Sequence, residues 1–173
     1  FQLALPPFNY DLSHSGKNAS ADWSFFTCYN TEEAHSLLEV NASHNDKDYI
    51  LAINWKKAAE HAAKGDFDWK PCKYAHNVMH EDTEQATSEI LNKVKVIDTR
   101  KYNDFLYLIP CPKSPHGVDV DPSGEYIVGN GKLSANLPVF SFTKIQDAIK
   151  NHQFDGKVDG INVIKYESAL HGE

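Results

Sequence analysis

The feature that most restricts this chain is the recurrence of short runs of aromatic and β-branched residues, each ended within a few positions by a turn signal. Such runs fall at 23–28, 48–54, 94–97, 105–109, 126–128, 139–142 and 161–164, the length and composition of β-strands. Asp121-Pro122-Ser123-Gly124 has proline at the second and glycine at the fourth position of a type I turn. Gly129-Asn130-Gly131 marks another turn. Strands this short and this closely spaced predict an all-β architecture, either a sandwich or propeller blades, with short helical insertions. They also predict antiparallel sheets with no closed barrel and no parallel βαβ unit. No internal repeat is visible, so periodicity does not choose between sandwich and propeller.

Helices enter only as decorations. Trp55, Ala58, Ala59 and Ala62 recur at helical spacing and Gly65 supplies a stop, which predicts a short amphipathic helix directly after the second strand run. Asn30 with Glu33 suits the start of a helical turn presenting Ala34, Leu37 and Leu38. Thr143 with Gln146 has the form of a capping box for a helix carrying Ile145, Ala148 and Ile149. Residues 66–93 read as a long excursion between strands.

With 173 residues, 41% of them hydrophobic, the chain has the material of one globular domain. Seventeen basic residues stand against 24 acidic ones, interspersed along the chain, for a formal charge of −7. That balance argues against nucleic acid or an anionic membrane as partner, since both demand a basic face. No apolar run approaches the length needed to span a bilayer. The chain begins at Phe1, without an initiator methionine, which predicts a processed protein or a piece of a longer one.

Most candidate sites have ordinary explanations. Asp119-Val120-Asp121-Pro122-Ser123-Gly124 opens like an EF-hand loop, but Asn130 stands at the twelfth position and strands flank it, so a plain β-turn is expected. Gly129-Asn130-Gly131-Lys132 lacks the hydroxyl residue of a phosphate loop. His76 and His80, followed by Glu81, have the four-residue spacing of zinc hydrolases but no further ligand pair. Cys28, Cys72 and Cys111 form no Cys-x-x-Cys pair and read as buried, inert thiols. Asn-x-Ser sequons at Asn18 and Asn41 matter only in a eukaryotic secretory setting. His116 differs in its surroundings: Pro110-Cys111-Pro112-Lys113-Ser114-Pro115 makes a stiff approach to it, and Gly117 lets the chain turn before a strand. Rigid loops of this kind often carry binding residues.

Pro112-Lys113-Ser114-Pro115-His116-Gly117, then Asp121-Pro122-Ser123-Gly124-Glu125-Tyr126 and Gly131-Lys132-Leu133-Ser134, resemble a stretch of nitrous-oxide reductase. Upstream, Cys28-Tyr29-Asn30-Thr31-Glu32 and Asn45-Asp46-Lys47-Asp48-Tyr49 are similar to the same family in the same order. The resemblance covers roughly residues 24–173 and is weakest in 66–93. It implies an N-terminal seven-bladed propeller that holds a sulfide-bridged copper cluster through histidines, followed by a cupredoxin domain with a dinuclear copper site. It further implies reduction of nitrous oxide to dinitrogen and water, a periplasmic homodimer, and a c-type cytochrome or cupredoxin as electron donor. His116 matches one cluster histidine. The contexts of the other cluster histidines and the cupredoxin motif are absent, so residues 1–173 are expected to be a fragment of the propeller, inactive alone.

The resemblance also implies a calcium site at Tyr29 and Ala42, both through backbone carbonyls, and at Glu32, Asp48 and Ser114. Oxygen donors of this kind suit calcium. The loop before Ala42 differs in length from the family's, and Ser114 stands where the family has asparagine, a longer side-chain donor. Two other functions fit the strand pattern: a non-catalytic propeller binding module, and a β-sandwich that binds calcium through the same acidic loop.

Overall fold

The computed structural model describes residues 1–6, 8–29, 48–71, 93–112, 114–131 and 133–171. Twelve strands are found among them. They are β1 (Gln2–Ala4), β2 (Asn9–Ser15), β3 (Trp23–Tyr29), β4 (Asp48–Asn54), β5 (Asp68–Pro71) and β6 (Lys93–Asp98), then β7 (Leu106–Cys111), β8 (Pro115–Val120), β9 (Tyr126–Gly131), β10 (Val139–Ser141), β11 (Phe154–Val158) and β12 (Ile161–Ile164). Three short α-helices, α1 (Trp55–Lys64), α2 (Phe142–Lys150) and α3 (Tyr166–Ala169), and a 3-10 turn at Asn18–Ser20 complete the described elements. The architecture is all-β with short helical insertions, as the spacing of the strand runs implies.

The strands form a six-stranded sheet in the order β11-β12-β7-β4-β3-β2 and two three-stranded sheets, β10-β9-β8 and β1-β6-β5. Within the large sheet, β2, β3, β4 and β7 are antiparallel neighbours, a blade-like arrangement. Two parallel pairs, β12 with β7 and β1 with β6, were not expected from the sequence. The strands within each pair lie far apart in the chain, so no local signal announces them.

The core sits on both faces of β4. Successive strand residues point to opposite faces, and six of the seven residues of β4 are buried. Ile50 and Ala52 join a cluster with Trp23, Phe25 and Ile109, closed from above by Val118, Val120, Ile127, Phe140 and Ile145. Tyr49, Leu51 and Ile53 join a second cluster with Phe8, Ala58, Ile97, Phe105 and Leu108. Each such aliphatic or aromatic side chain contributes on the order of 1.5–3 kcal/mol on burial.

The first expected helix forms as read. Asn54 caps α1 by accepting the Lys57 N–H at 2.9 Å, and Gly65 ends it at φ 93°. Trp55 is an exception to the buried face: it is half exposed and donates its indole N–H to the Ala21 carbonyl. In α2 the cap is Ser141, whose side chain accepts the Lys144 N–H, and not Thr143. Thr143 is held instead by Glu125, which accepts from its hydroxyl at 2.8 Å. The Asn30–Glu33 turn falls outside the described residues, as do residues 72–92 of the long excursion, whose start forms β5.

The Asp121 loop is the plain turn expected. Gly124 donates its N–H to the Asp121 carbonyl, and the Asp121 carboxylate accepts the Tyr126 and Ser123 amides, which hold its pKa down at about 2. A seam then joins this turn to the 3-10 segment of the neighbouring sheet. The Asn18 side chain donates to the Pro122 carbonyl at 2.6 Å, the Ala19 N–H donates to the Ser123 carbonyl at 3.1 Å, and the Lys17 ammonium reaches the Val120 carbonyl at 3.2 Å. Gly124 makes the seam sterically possible: a Cβ there would lie 1.6 Å from the Lys17 carbonyl oxygen, and its φ is +77°. Gly124→Ala is therefore expected to destabilise by more than Gly65→Ala, where φ is +93° but nothing lies within 4 Å. The Gly65 change carries only left-handed strain, about 1–2 kcal/mol. Urea unfolding of both variants measures the difference, and equal losses would mean that the seam gives way freely.

Candidate functional site

His116 does not sit on a turn leading into a strand, as its flanking residues suggest, but inside β8. Between Pro115, opposite Gly131, and Gly117, opposite Asn130, the register slips by one residue, and His116 is the extra one. A bulge of this kind bends the strand and re-aims the side chain. Here the imidazole is swung out of the pleat and its side chain is 62% exposed.

The side chain meets Asp11 of β2, whose carboxylate hydrogen-bonds to the His116 Nδ1. Asp11 also lies at a bulge. The β2–β3 register slips between Tyr10 and Ser13, where Asp11 and Leu12 together oppose Thr27. Buried Thr27 fills that irregularity with its hydroxyl, which contacts both the N–H and the carbonyl of Leu12. Two strand defects in different sheets thus bring a carboxylate and an imidazole together across 105 residues of sequence. A carboxylate on Nδ1 calls for the proton there and leaves the lone pair on Nε2. That is the usual preparation of a histidine for a metal, with the second nitrogen bound to an acidic partner. Asp11 was missed by sequence reading because no local pattern connects it to His116.

Asp48 and Ser114 lie in contact. Asp48 opens β4 and pairs with Cys111 at the end of β7. The chain then reaches Ser114, at φ 53°, whose N–H donates to the Asp48 carboxylate at 2.5 Å. Tyr29 ends β3 directly after Cys28, the partner of Tyr49. Three of the residues matched to calcium ligands therefore gather where β3 ends, β4 begins and β7 leaves the sheet. Glu32 and Ala42 lie outside the described residues, as do His76 and His80. Asp48 is almost fully buried, and a carboxylate so placed serves either as an acceptor for backbone N–H groups or as an oxygen donor to a hard cation.

The cysteines behave as inert thiols where they are described. Burial, reinforced by the Asp48 charge, pushes the Cys28 thiol up, and the same causes push Cys111 up to about 12. Neither is a thiolate at neutral pH, and the thiolate is the form that binds soft metals. Among the described residues, no three His, Cys, Asp or Glu side chains converge as a metal site. Among the described residues, the positions matched by the resemblance are found in two places: His116 with Asp11, and Asp48 with the backbone N–H of Ser114. No described helix is long and apolar enough to cross a membrane.

No family model matches the chain. It is 27% identical over 151 residues to a nitrous-oxide reductase of Pseudomonas fluorescens, covering 85% of this chain and 20% of that protein. To a nitrous-oxide reductase of Stutzerimonas stutzeri it is 28% identical over 167 residues, covering 94% of this chain and 21% of that protein. The chain is thus similar, distantly and over part of their length, to nitrous-oxide reductases. It spans about a fifth of the length of the curated relatives it matches.

Proposed function

We propose that this chain is a set of consecutive blades from the copper-cluster propeller of a nitrous-oxide reductase, and that His116 contributes one imidazole to the cluster. The observation that carries this reading is the bulged His116, with Nδ1 held by Asp11 and a side chain that is more than half exposed. One imidazole fits the donor set of such a site without completing it, so the remaining ligands belong to other blades. When bound, copper supplies the electrons for the two-electron, two-proton conversion of nitrous oxide to dinitrogen and water. His116 would offer its Nε2 lone pair to the metal, and Asp11 would fix the tautomer from the other ring nitrogen. Neutral imidazole suits copper, which accepts borderline nitrogen donors in both common oxidation states.

In the same reading, the carbonyls of Tyr29 and Ala42 with Glu32, Asp48 and Ser114 would hold a calcium ion, which would supply a hard cation linking the start of β4 to the segment carrying His116. The fit rests on the hard oxygen donors and on the contact between Asp48 and Ser114. The whole enzyme would work in the periplasm as a homodimer with a c-type cytochrome or a cupredoxin as electron donor, and its cupredoxin domain would lie outside this chain. Copper analysis and a gas-reduction assay on the full-length protein test the reading. A copper-free, inactive full-length protein would leave a non-catalytic propeller module in its place.

The calcium assignment has its own test. Glu32→Gln with Asp48→Asn removes two charges with little change of size. In the full-length protein this is expected to lower calcium content and to weaken hydrogen-exchange protection around His116. Unchanged calcium and unchanged protection would show that the ligands were wrongly transferred.

A further inference from the structure

Asp11 and His14 stand three residues apart on β2, and both reach β8. The Asp11 carboxylate hydrogen-bonds to the His116 Nδ1, and the His14 Nδ1 accepts the Val120 N–H at 3.2 Å. In a regular strand, residues three apart point to opposite faces. One extra residue between them restores a common face, and the pairing of β2 with β3 slips at this place, where Asp11 and Leu12 together oppose Thr27. The bulge of β2 is therefore what lets Asp11 face the bulge of β8.

A bulge disrupts the ladder and leaves its extra residue unpaired. Here the Thr27 side chain supplies the missing partners: its hydroxyl accepts the Leu12 N–H at 3.2 Å and donates to the Leu12 carbonyl at 3.3 Å. A hydroxyl can donate and accept at once, which a methyl group cannot. Thr27 is itself firmly placed. It is fully buried, it lies on the same face of β3 as the core residues Trp23 and Phe25, and its backbone pairs with Ile50 of β4.

We infer that Thr27 is the positioning residue of the Asp11–His116 pair: through the Leu12 backbone it holds the β2 bulge that aims Asp11 at the imidazole. Without the hydroxyl, β2 regains its ladder by slipping one residue, and such a slip turns side chains to the opposite face. Asp11 then leaves His116. The consequence for copper rests on the proposed function, in which His116 is a cluster ligand, whereas the aiming of Asp11 does not.

Crystal structures of the full-length protein with Thr27→Val, which keeps the branched shape, and Thr27→Ser, which keeps the hydroxyl, test the aiming directly. The Asp11–His116 hydrogen bond is expected to persist in the Ser variant and to be lost in the Val variant. A bond retained in Thr27→Val, or lost in Thr27→Ser, overturns the inference. Should Thr27→Val fail to fold, Thr27→Cys takes its place, since a thiol is only a weak donor and acceptor, and a bond fully retained there overturns the inference in the same way. Copper titration of the full-length protein gives the second readout. Thr27→Val is expected to lower copper affinity about 10–100-fold, and Thr27→Ser to restore it. Adding Thr27→Val to Asp11→Asn is expected to cost nothing beyond Asp11→Asn alone, because both act through one hydrogen bond. Losses that multiply overturn the positioning role. Loss of the bond in Thr27→Val with copper unmoved by either substitution upholds the positioning of Asp11 and overturns the assignment of His116 to copper.

Discussion

His116→Ala in the full-length protein is expected to lower copper at the cluster and abolish nitrous-oxide reduction, with the electron-entry copper site left intact. An imidazole lost from a multinuclear site leaves a copper under-coordinated, and its neighbours depend on the same geometry. Asp11→Asn keeps the ring but blunts the partner that sets its tautomer, so a smaller loss is expected, about 10–100-fold in metal affinity. A purely structural His116 predicts otherwise. Its side chain is more than half exposed, and substitution would then cost at most a few kcal/mol of stability, with no effect on copper. Copper analysis and a gas-reduction assay separate the two, and full cluster copper with near-normal turnover would remove His116 from the site.

The largest stability loss is expected from Phe25→Ala. Phe25 is fully buried on β3, between the large sheet and the layer formed by β8, β9, β10 and α2. It meets Phe142 edge-on at 6.4 Å between centroids. Removing a buried phenyl ring costs about 3–5 kcal/mol through lost transfer energy and the cavity left behind. That is a large part of the roughly 5–15 kcal/mol by which a domain is stable. Leu137→Ala is the control: Leu137 is 59% exposed, and a change within about 0.5 kcal/mol is expected. Urea unfolding midpoints report both, and similar losses would mean that the two sheets are not packed as described.

Strands whose residues are uniformly apolar were legible in the sequence, and β4 and β7 are the clearest cases. The strands that were missed lack that signal for physical reasons. β2 carries Asp11, His14 and a half-exposed Leu12, and its bulge interrupts the alternation that marks a strand. β11 contains Gly156 at φ +117°, a poor strand residue that serves an irregularity in the pairing with β12. The cap of α2 was misread because Thr143 has the right spacing to Gln146, while Glu125, remote in sequence, takes its hydroxyl and leaves Ser141 as the cap. At the candidate site the residue types were legible and the geometry was not. Pro115 and Gly117 flag His116 as constrained, but a bulge is a property of two strands together, and the register slip depends on β9.

The order β11-β12-β7-β4-β3-β2 also has a consequence in time. On a chain made from its N-terminus, β2, β3 and β4 emerge in succession, yet β4 waits for β7, and β7 in turn waits for β12 to cover its other edge in parallel. Contacts between such distant segments are slow to form, because the loop must close before any pairing rewards it. Until Ile161–Ile164 leaves the ribosome, the apolar run of β7 has one open edge, and a chain stalled before that point exposes the strand best suited to pairing with a second copy of itself.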